Sequence, residues 1–448
     1  MASVNARGDT SGNGDGLHRI VVVGGGAGGL ELATRLGRRL GQRRRAEVAL
    51  VDATLTHLWK PLLHEVSAGT LDSHEDAIEF LAQARTHHFR FRLGRMQGLD
   101  RHGRCVHLAP LIAEGGWEVA PARTLRYDTL ALAVGSTVND FGVPGARQHC
   151  VFLDGPEEAE RFHRVFFQHH LRAQAQKESS PRGWLSVGIV GAGATGVELA
   201  AELHAASRYL ADYGLDRIEP GDMQVVLVEA ADRVLPGLPV RVSRAIEAQL
   251  RRLGVEIHTG EQVAEVTEEG MRTNTGRFVP CRMKVWAAGI KAPDFLEDLG
   301  GLETNRINQL VVRPTLQTTR DDDIFAFGDC AQCPWVGHEG SVPPRAQAAH
   351  QQATLLARSL ERRLEGRAPA EFHYRDRGSL VSLSGYTTVG NLMGNLMGEV
   401  TFEGWLARLA YRSLYRMHQR AVHGTPRTLL IMLADWFRRG AGPQLKLH

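Results

Sequence analysis

Two short glycine-rich runs have the residue types and spacing to cradle a diphosphate: Gly24-Gly25-Gly26-Ala27-Gly28-Gly29 and Gly191-Ala192-Gly193-Ala194-Thr195-Gly196. In such a turn the first glycine permits a tight bend. The second lets backbone approach the pyrophosphate, and the third lets a helix pack on a strand. The diphosphate then sits at a helix N-terminus, where free N–H groups and the dipole favour an anion. One run of this kind is a weak signal. Two in one polypeptide mean two bound dinucleotides, and two dinucleotides close together mean hydride transfer between them. A carboxylate follows each run, Asp52 about 20 residues on and Glu229 at a longer spacing that signals an insertion around Tyr209 to Met223. It would accept a hydrogen bond from a ribose hydroxyl and repel a 2′-phosphate, so Glu229 favours NADH over NADPH.

The turns function only if a strand enters and a helix leaves. Ile20-Val21-Val22-Val23 is a short apolar run that predicts a buried parallel strand, and Leu30 to Leu36 predicts the helix after Gly29. Val48 to Val51 predicts the strand that delivers Asp52. The second run repeats this grammar: strand Leu185 to Val190, helix from Val197 to Leu203, strand Val225 to Val228 delivering Glu229. A further echo supports duplication. Leu130 to Val134 closes on Gly135, and Val285 to Ala288 closes on Gly289, as if each domain offers a second backbone edge to its nucleotide. The expected fold is α/β, with two Rossmann-like dinucleotide-binding domains.

The chain has 448 residues, enough for two or three domains, with 43% hydrophobic and 23% charged residues. Those proportions are ordinary for a globular protein. The net charge of +3 is unevenly spread: from Gly404 on there are eight Lys/Arg against the single Asp435. Residues 1–16 are rich in Gly, Asn, Asp and Ser and read as a disordered leader, not a secretory signal. No apolar run approaches the roughly 18 residues that would span a bilayer. Five scattered cysteines, Cys105, Cys150, Cys281, Cys330 and Cys333, fit free thiols in a reducing compartment.

Three more segments carry a resemblance. His57-Leu58-Trp59-Lys60-Pro61-Leu62-Leu63-His64-Glu65-Val66-Ser67-Ala68-Gly69 follows the first acid, Asp323-Ile324-Phe325-Ala326-Phe327-Gly328-Asp329 comes late, and Pro343-Pro344-Arg345-Ala346-Gln347-Ala348-Ala349-His350-Gln351 predicts a helix start near Pro343. From about Arg19 to about Phe437 the chain resembles the type II NADH dehydrogenases, single-subunit flavin NADH:quinone oxidoreductases that do not pump protons. The glycine runs and Gly328-Asp329 are shared across the wider two-dinucleotide flavoprotein superfamily. The Ala346-Gln347-x-Ala349-x-Gln351 pattern, Pro61-Leu62-Leu63 and the basic tail are more specific.

The resemblance implies a tightly held FAD at Gly24, Gly26, Ala27, Gly28, Gly29, Asp52, Lys60, Gly135, Asp329 and Ala346. It implies NADH as substrate at Gly191, Gly193, Thr195, Gly196, Glu198, Glu229 and Gly289. Asp329 would reach the ribityl or phosphate region of FAD, the alternative being a helix cap. Gln347 and Gln351 are four apart and share a helix face. Beside an isoalloxazine they could hydrogen-bond a quinone carbonyl; otherwise they are solvated glutamines. Glu198 would be a proton-relay group for quinone reduction, or simply a carboxylate favoured by the helix dipole.

Cys330 and Cys333 form a CxxC, but Thr54 to Thr70 contains no cysteine and a lone CxxC falls short of a four-ligand zinc site. The sulfide:quinone oxidoreductases, with cysteines near a flavin, are one alternative class; they need no NADH. A soluble NADH-dependent reductase of a ferredoxin-like carrier is another, and a non-catalytic NADH-sensing flavoprotein a third.

In the tail, Leu406, Leu409, Ala410, Leu414, Met417 and Ala421 recur at helical spacing beside Arg408, Arg412, Arg416 and Arg420. Gly424 ends that helix, and Thr425-Pro426 starts another with Leu429, Leu430, Ile431, Met432, Leu433, Trp436 and Phe437. An apolar face with flanking arginines describes a helix lying on a membrane surface; a dimerisation hairpin is the alternative. No nucleic-acid module accompanies the arginines. The expected plan is leader 1–16, FAD domain 17–154, inserted NADH domain 155–310, returning FAD domain 311–400, and a membrane-associating amphipathic tail 401–448. The enzyme would be a homodimer lying peripherally on the cytoplasmic side of the cell membrane.

Overall fold

A computed structural model describes residues 16–175, 185–217, 221–383, 387–394, 398–403, 415–441 and 445–446. The leader 1–15 and the first tail segment, with Leu406, Arg408, Leu409, Ala410, Arg412 and Leu414, lie outside the described residues.

The chain forms two compact units, each from three stretches. The first joins the stretch ending at His57 to Ala77–Thr137 and Lys291–Arg375; the second joins Leu58–Asp76, Val138–Ile290 and the stretch from Asp376 on.

The first unit is built on a six-stranded sheet ordered Gln317–Thr318, Asp321–Ala326, Thr129–Leu132, His18–Val23, Ala46–Asp52, Arg90–Leu93. All pairings are parallel except that of Gln317–Thr318. Ile20 to Val23 are all buried, as a β-branched strand covered on both faces must be. His18–Val23 lies between Thr129–Leu132 and Ala46–Asp52. The chain order reverses there, which opens a crevice at the strands' carboxyl ends.

The second unit repeats the plan with five parallel strands: Val151–Phe152, Met283–Trp286, Ser186–Val190, Gln224–Glu229, Glu256–Thr259. Each unit also holds a three-stranded antiparallel meander, Met96–Asp100 to Arg123–Arg126 in the first and Val263–Val266 to Phe278–Pro280 in the second. The expected insertion after the second glycine run partly lengthens its helix, which extends over Ala194–Asp212.

The second unit's core gathers Leu199 and Leu203 of that helix, Phe162 and Phe166 of helix Pro156–Ala175, and Leu63 and Val66 of the short helix Leu63–Ala68. Leu445 belongs to the same core, and the Lys446 N–H donates to the Gly69 carbonyl at 2.7 Å. Residues 415–423 form a helix whose Tyr415 and His418 rings stack on Trp59, with centroids 5.3 and 6.0 Å away. It buries Val422 and leaves Met417 exposed, so its inward face is offset from the expected apolar stripe. Gly424, at a φ of +84°, ends it. Helix Thr425–Ala441 follows, tied back by an Arg416–Asp435 ion pair of 2.6 Å. Leu429, Leu430, Met432, Leu433 and Phe437 of this helix are exposed. Among the described residues no helix is long and apolar enough to cross a membrane.

Candidate functional site

The two glycine turns are near copies. Gly24 and Gly191 sit at φ of +98° and +100°, where an L side chain is strained, and their N–H groups donate to Val51 and Val228, each at 2.8 Å. A methyl on Gly29 would stand 1.8 Å from the Gly24 carbonyl oxygen, and one on Gly196 2.0 Å from that of Gly191. The first and third glycines are thus demanded by the protein's own packing. The middle glycines are not: beyond Gly26 and Gly193 nothing lies within 4 Å of a built Cβ. That open space lies before the N-termini of helices Ala27–Leu36 and Ala194–Asp212, neither with a side-chain cap. Orphan N–H groups facing open space are what a diphosphate requires. The residues present fit a dinucleotide in each unit.

The two acids do more than await a ribose. Asp52 accepts from the Gly25 N–H at 2.6 Å through one oxygen and from the Thr54 N–H and hydroxyl through the other. Glu229 accepts from Ala192 at 2.6 Å and from Ala231 at 2.9 Å. Each carboxylate fastens the end of its strand to its glycine turn, leaving further lone pairs outward.

In the first unit, Gly328 follows strand Asp321–Ala326 and Phe327, and Asp329 receives the Ser136 hydroxyl at 3.1 Å while its carbonyl receives the Gln309 amide at 2.9 Å. Ser136 adjoins Gly135, so the structure brings together two expected positions, Gly135 and Asp329, from distant sequence. The late helix spans Ala346–Leu364. Pro343 and Pro344 therefore precede it rather than opening it, because Arg345 is still extended at φ −142°. Ala346 is its first residue and Gln347 is half-buried. Gln351 does not present a free amide: it donates to the Arg375 carbonyl at 2.9 Å and accepts from the Arg375 N–H at 3.1 Å. Sequence spacing placed Gln347 and Gln351 on one face; it could not show that one amide is occupied by backbone.

Gln352 and Glu31 were missed. Gln352 is buried and accepts from the Gly328 N–H at 2.8 Å, fixing the turn that carries Asp329. Glu31 is fully buried, bonded to Arg35 at 2.6 Å, to Thr354 at 3.2 Å and to His350. It joins the first glycine-turn helix to the late helix. A Glu–Arg pair four apart looks like surface decoration in sequence; only tertiary packing reveals the buried carboxylate.

In the second unit Glu198 is buried on the helix after the glycine turn, its Oε2 3.6 Å from His64 Nδ1. Glu202, one turn on, is also buried and accepts from Thr70 at 3.3 Å. Burial pushes His64 down to about 4, so it is neutral at physiological pH. Lys60, expected beside the flavin, is in this unit, its Nζ 3.5 Å from Asp154 Oδ1. Thr195 is exposed at the helix start, and Gly289 packs against the Phe141 ring.

All five cysteines are free thiols. Burial pushes Cys330 and Cys333 up to about 11 and Cys150 up to about 12. A thiol so poised supplies almost no thiolate nucleophile, which disfavours the sulfide-oxidising alternative. Among the described residues no His, Cys, Asp and Glu group could hold a metal ion.

Residues 18–353 match the family model described as pyridine nucleotide-disulphide oxidoreductase. The chain is 42% identical to a type II NADH:quinone oxidoreductase of Haemophilus influenzae, the alignment covering 96% of this chain and 100% of that one. A Mycobacterium tuberculosis enzyme of the same description is 29% identical over 89% of this chain and 83% of its own. The solved structure of NDH2 from Plasmodium falciparum in complex with NADH superposes with a TM-score of 0.80, at 16% identity, covering 96% of this chain and 100% of that one. The 42% identity, across nearly the whole of both chains, settles the family: this chain belongs to the type II NADH:quinone oxidoreductases, flavin-dependent enzymes that oxidise NADH and reduce quinone.

Proposed function

We propose that the flavin is FAD, held by Gly24 to Gly29, Asp52, Gly135, Asp329 and Ala346 of the first unit, and that NADH is held by Gly191 to Gly196, Glu229 and Gly289 of the second. The observation that carries this reading is the pair of matched turns, each with space open beyond its middle glycine. Bound flavin supplies the carrier chemistry, taking hydride from nicotinamide and passing two electrons to a quinone. The chain's own residues orient and balance charge. The uncapped N-terminus of helix Ala346–Leu364 favours an anion in front of it. Gln347 is the amide offered to a quinone carbonyl; Gln351 acts as a brace that holds the helix to Arg375. Glu198 is the group that hands a proton to quinone oxygen. Lys60 acts through Asp154, which accepts the Val138 N–H at 2.7 Å.

The exposed apolar side of helix Thr425–Ala441 supports peripheral membrane attachment through the tail. The cytoplasmic face and a homodimer complete the reading from family resemblance. The test is spectroscopic. The purified enzyme's flavin absorbance should bleach with NADH and return on adding a short-chain quinone, and mass spectrometry of the heat-released cofactor should give FAD. Release of FMN would overturn the cofactor assignment. Bleaching that only a ferredoxin-like protein reverses would favour the soluble-carrier alternative.

A further inference from the structure

We propose that Glu65 and His64 form the route by which Glu198 is re-protonated; this rests on the reading of Glu198 as proton donor to the quinone. The route begins with a mismatch of burial. Glu198 is only 5% exposed, so a proton it gives away is not returned directly by bulk water. Helix Leu63–Ala68 packs on the helix that carries Glu198. His64, 2% exposed, lies between two carboxylates: its Nδ1 is 3.6 Å from Glu198 Oε2 and its Nε2 is 3.9 Å from Glu65 Oε1. The Glu65 side chain is 26% exposed and therefore in touch with solvent. The three groups run from solvent to the buried carboxyl.

Burial leaves ring nitrogens unpartnered elsewhere too, as at His204 Nε2, so it is the carboxylate beside each nitrogen that sets His64 apart. Here Nε2 is buried without a hydrogen-bond partner among the described residues, while the Pro61 carbonyl accepts from the ring. With Nε2 unpartnered, that bond is made by Nδ1, which leaves Nε2 as the open lone pair on the Glu65 side. A neutral imidazole is suited to relay because it takes a proton at one nitrogen as it releases one from the other. Both spacings exceed a hydrogen bond by less than an ångström, within reach of small side-chain rotations.

The balance closes. NADH, one solvent proton and quinone give NAD⁺ and quinol. The electron pair and one hydrogen come from NADH. Glu198 breaks its O–H bond and gives the proton to quinone oxygen. A small ring rotation releases the Nδ1–H from the Pro61 carbonyl; the Nδ1–H bond then breaks and the Glu198 O–H re-forms, Nε2 takes the proton of the Glu65 carboxyl, and a solvent proton restores Glu65. The ring then exchanges its proton between nitrogens to restore the starting tautomer. His64 and Glu65 act through Glu198, not on the substrate. Titratable groups presented to this segment from other elements, among the described residues, include Glu202, His163, Glu160, Tyr415, His418 and Lys446.

The test compares two acceptors on the full-length flavoenzyme. Ferricyanide takes electrons without protons; a short-chain benzoquinone needs both. In His64→Ala the ratio of quinone to ferricyanide turnover should fall about tenfold or more, mainly in kcat, and added imidazole should restore it. Glu65→Gln, at a partly exposed site that cannot threaten the core, should lower the same ratio and decide the matter if His64→Ala loses its flavin. Equal loss toward both acceptors in a variant that keeps its flavin, or an unchanged ratio in Glu65→Gln, overturns the route. Glu198→Gln separates the levels. If it lowers the ratio while both other variants leave it intact, only the route fails; if it too leaves the ratio intact, the reading of Glu198 fails.

Discussion

Asp52 and Glu229 each accept two backbone N–H groups before any ligand arrives, so their removal loosens the turn as well as a ribose contact. Hydrogen bonds to a charged group are worth about 1.5–3 kcal/mol each. Glu229→Ala should therefore raise the KM for NADH by roughly tenfold or more, with a smaller change in kcat, and narrow the preference for NADH over NADPH. Steady-state kinetics with both coenzymes checks this; an unchanged KM would remove Glu229 from the site. These acids were legible in the sequence because each ends an apolar run at a fixed place after its glycines. Gln352, Glu31 and His64 were not, because their chemistry comes from burial against another element. A lone glutamine, or a glutamate with an arginine four residues on, carries no mark of that in its own neighbourhood.

The matched turns make a sharper test possible at the level of the element. A methyl at position 193 meets nothing within 4 Å, whereas one at 196 meets the Gly191 carbonyl at 2.0 Å. Gly193→Ala should keep the thermal midpoint of the ligand-free enzyme while weakening NADH. Gly196→Ala should lower the midpoint by several degrees, as a core clash of about 1–3 kcal/mol does. Differential scanning calorimetry with and without NADH reads both; a reversed pattern would mean the open space is not the ligand's. Strands and helices of both βαβ cores were legible because period and punctuation agree there. The start of the late helix was not. Two prolines imitate a first turn, yet Arg345 remains extended and helical backbone begins at Ala346. The unit boundaries also differ from the expected plan: Leu58–Asp76, residues 138–154 and the stretch from Asp376 on cluster with the second unit, and residues 291–310 with the first. Such membership depends on contacts far along the chain, which local pattern does not encode.

For the whole molecule, buried imidazoles set the acid limit of stability. His57, His64, His170 and His204 are each pushed by burial from 6.5 down to about 4. In the unfolded chain they bind protons near pH 6.5, so between about 6.5 and 4 the unfolded state holds more protons than the folded one. Stability is full above this window and is lost as pH falls through it. The thermal midpoint should be flat above about pH 7 and decline toward about pH 5; a rise on acidification would contradict the burial of these rings. The exposed Leu430 and Leu433 carry the prediction for the tail. Each apolar side chain taken out of water contributes about 1.5–3 kcal/mol, so Leu430→Glu with Leu433→Glu should abolish flotation with anionic liposomes and spare turnover of a water-soluble quinone. Retained flotation would assign the face to another partner. The junction of Leu445 and Lys446 with Gly69 has a consequence for how the molecule is made. The helix bearing His64 leaves the ribosome early, but the last residues to back it are translated only after almost the whole of the described chain. Helices Pro156–Ala175 and Ala194–Asp212 cover that helix first, so the core closes in two stages, and the later one, at Gly69 and Leu445, is a point of vulnerability for any stalled or truncated product.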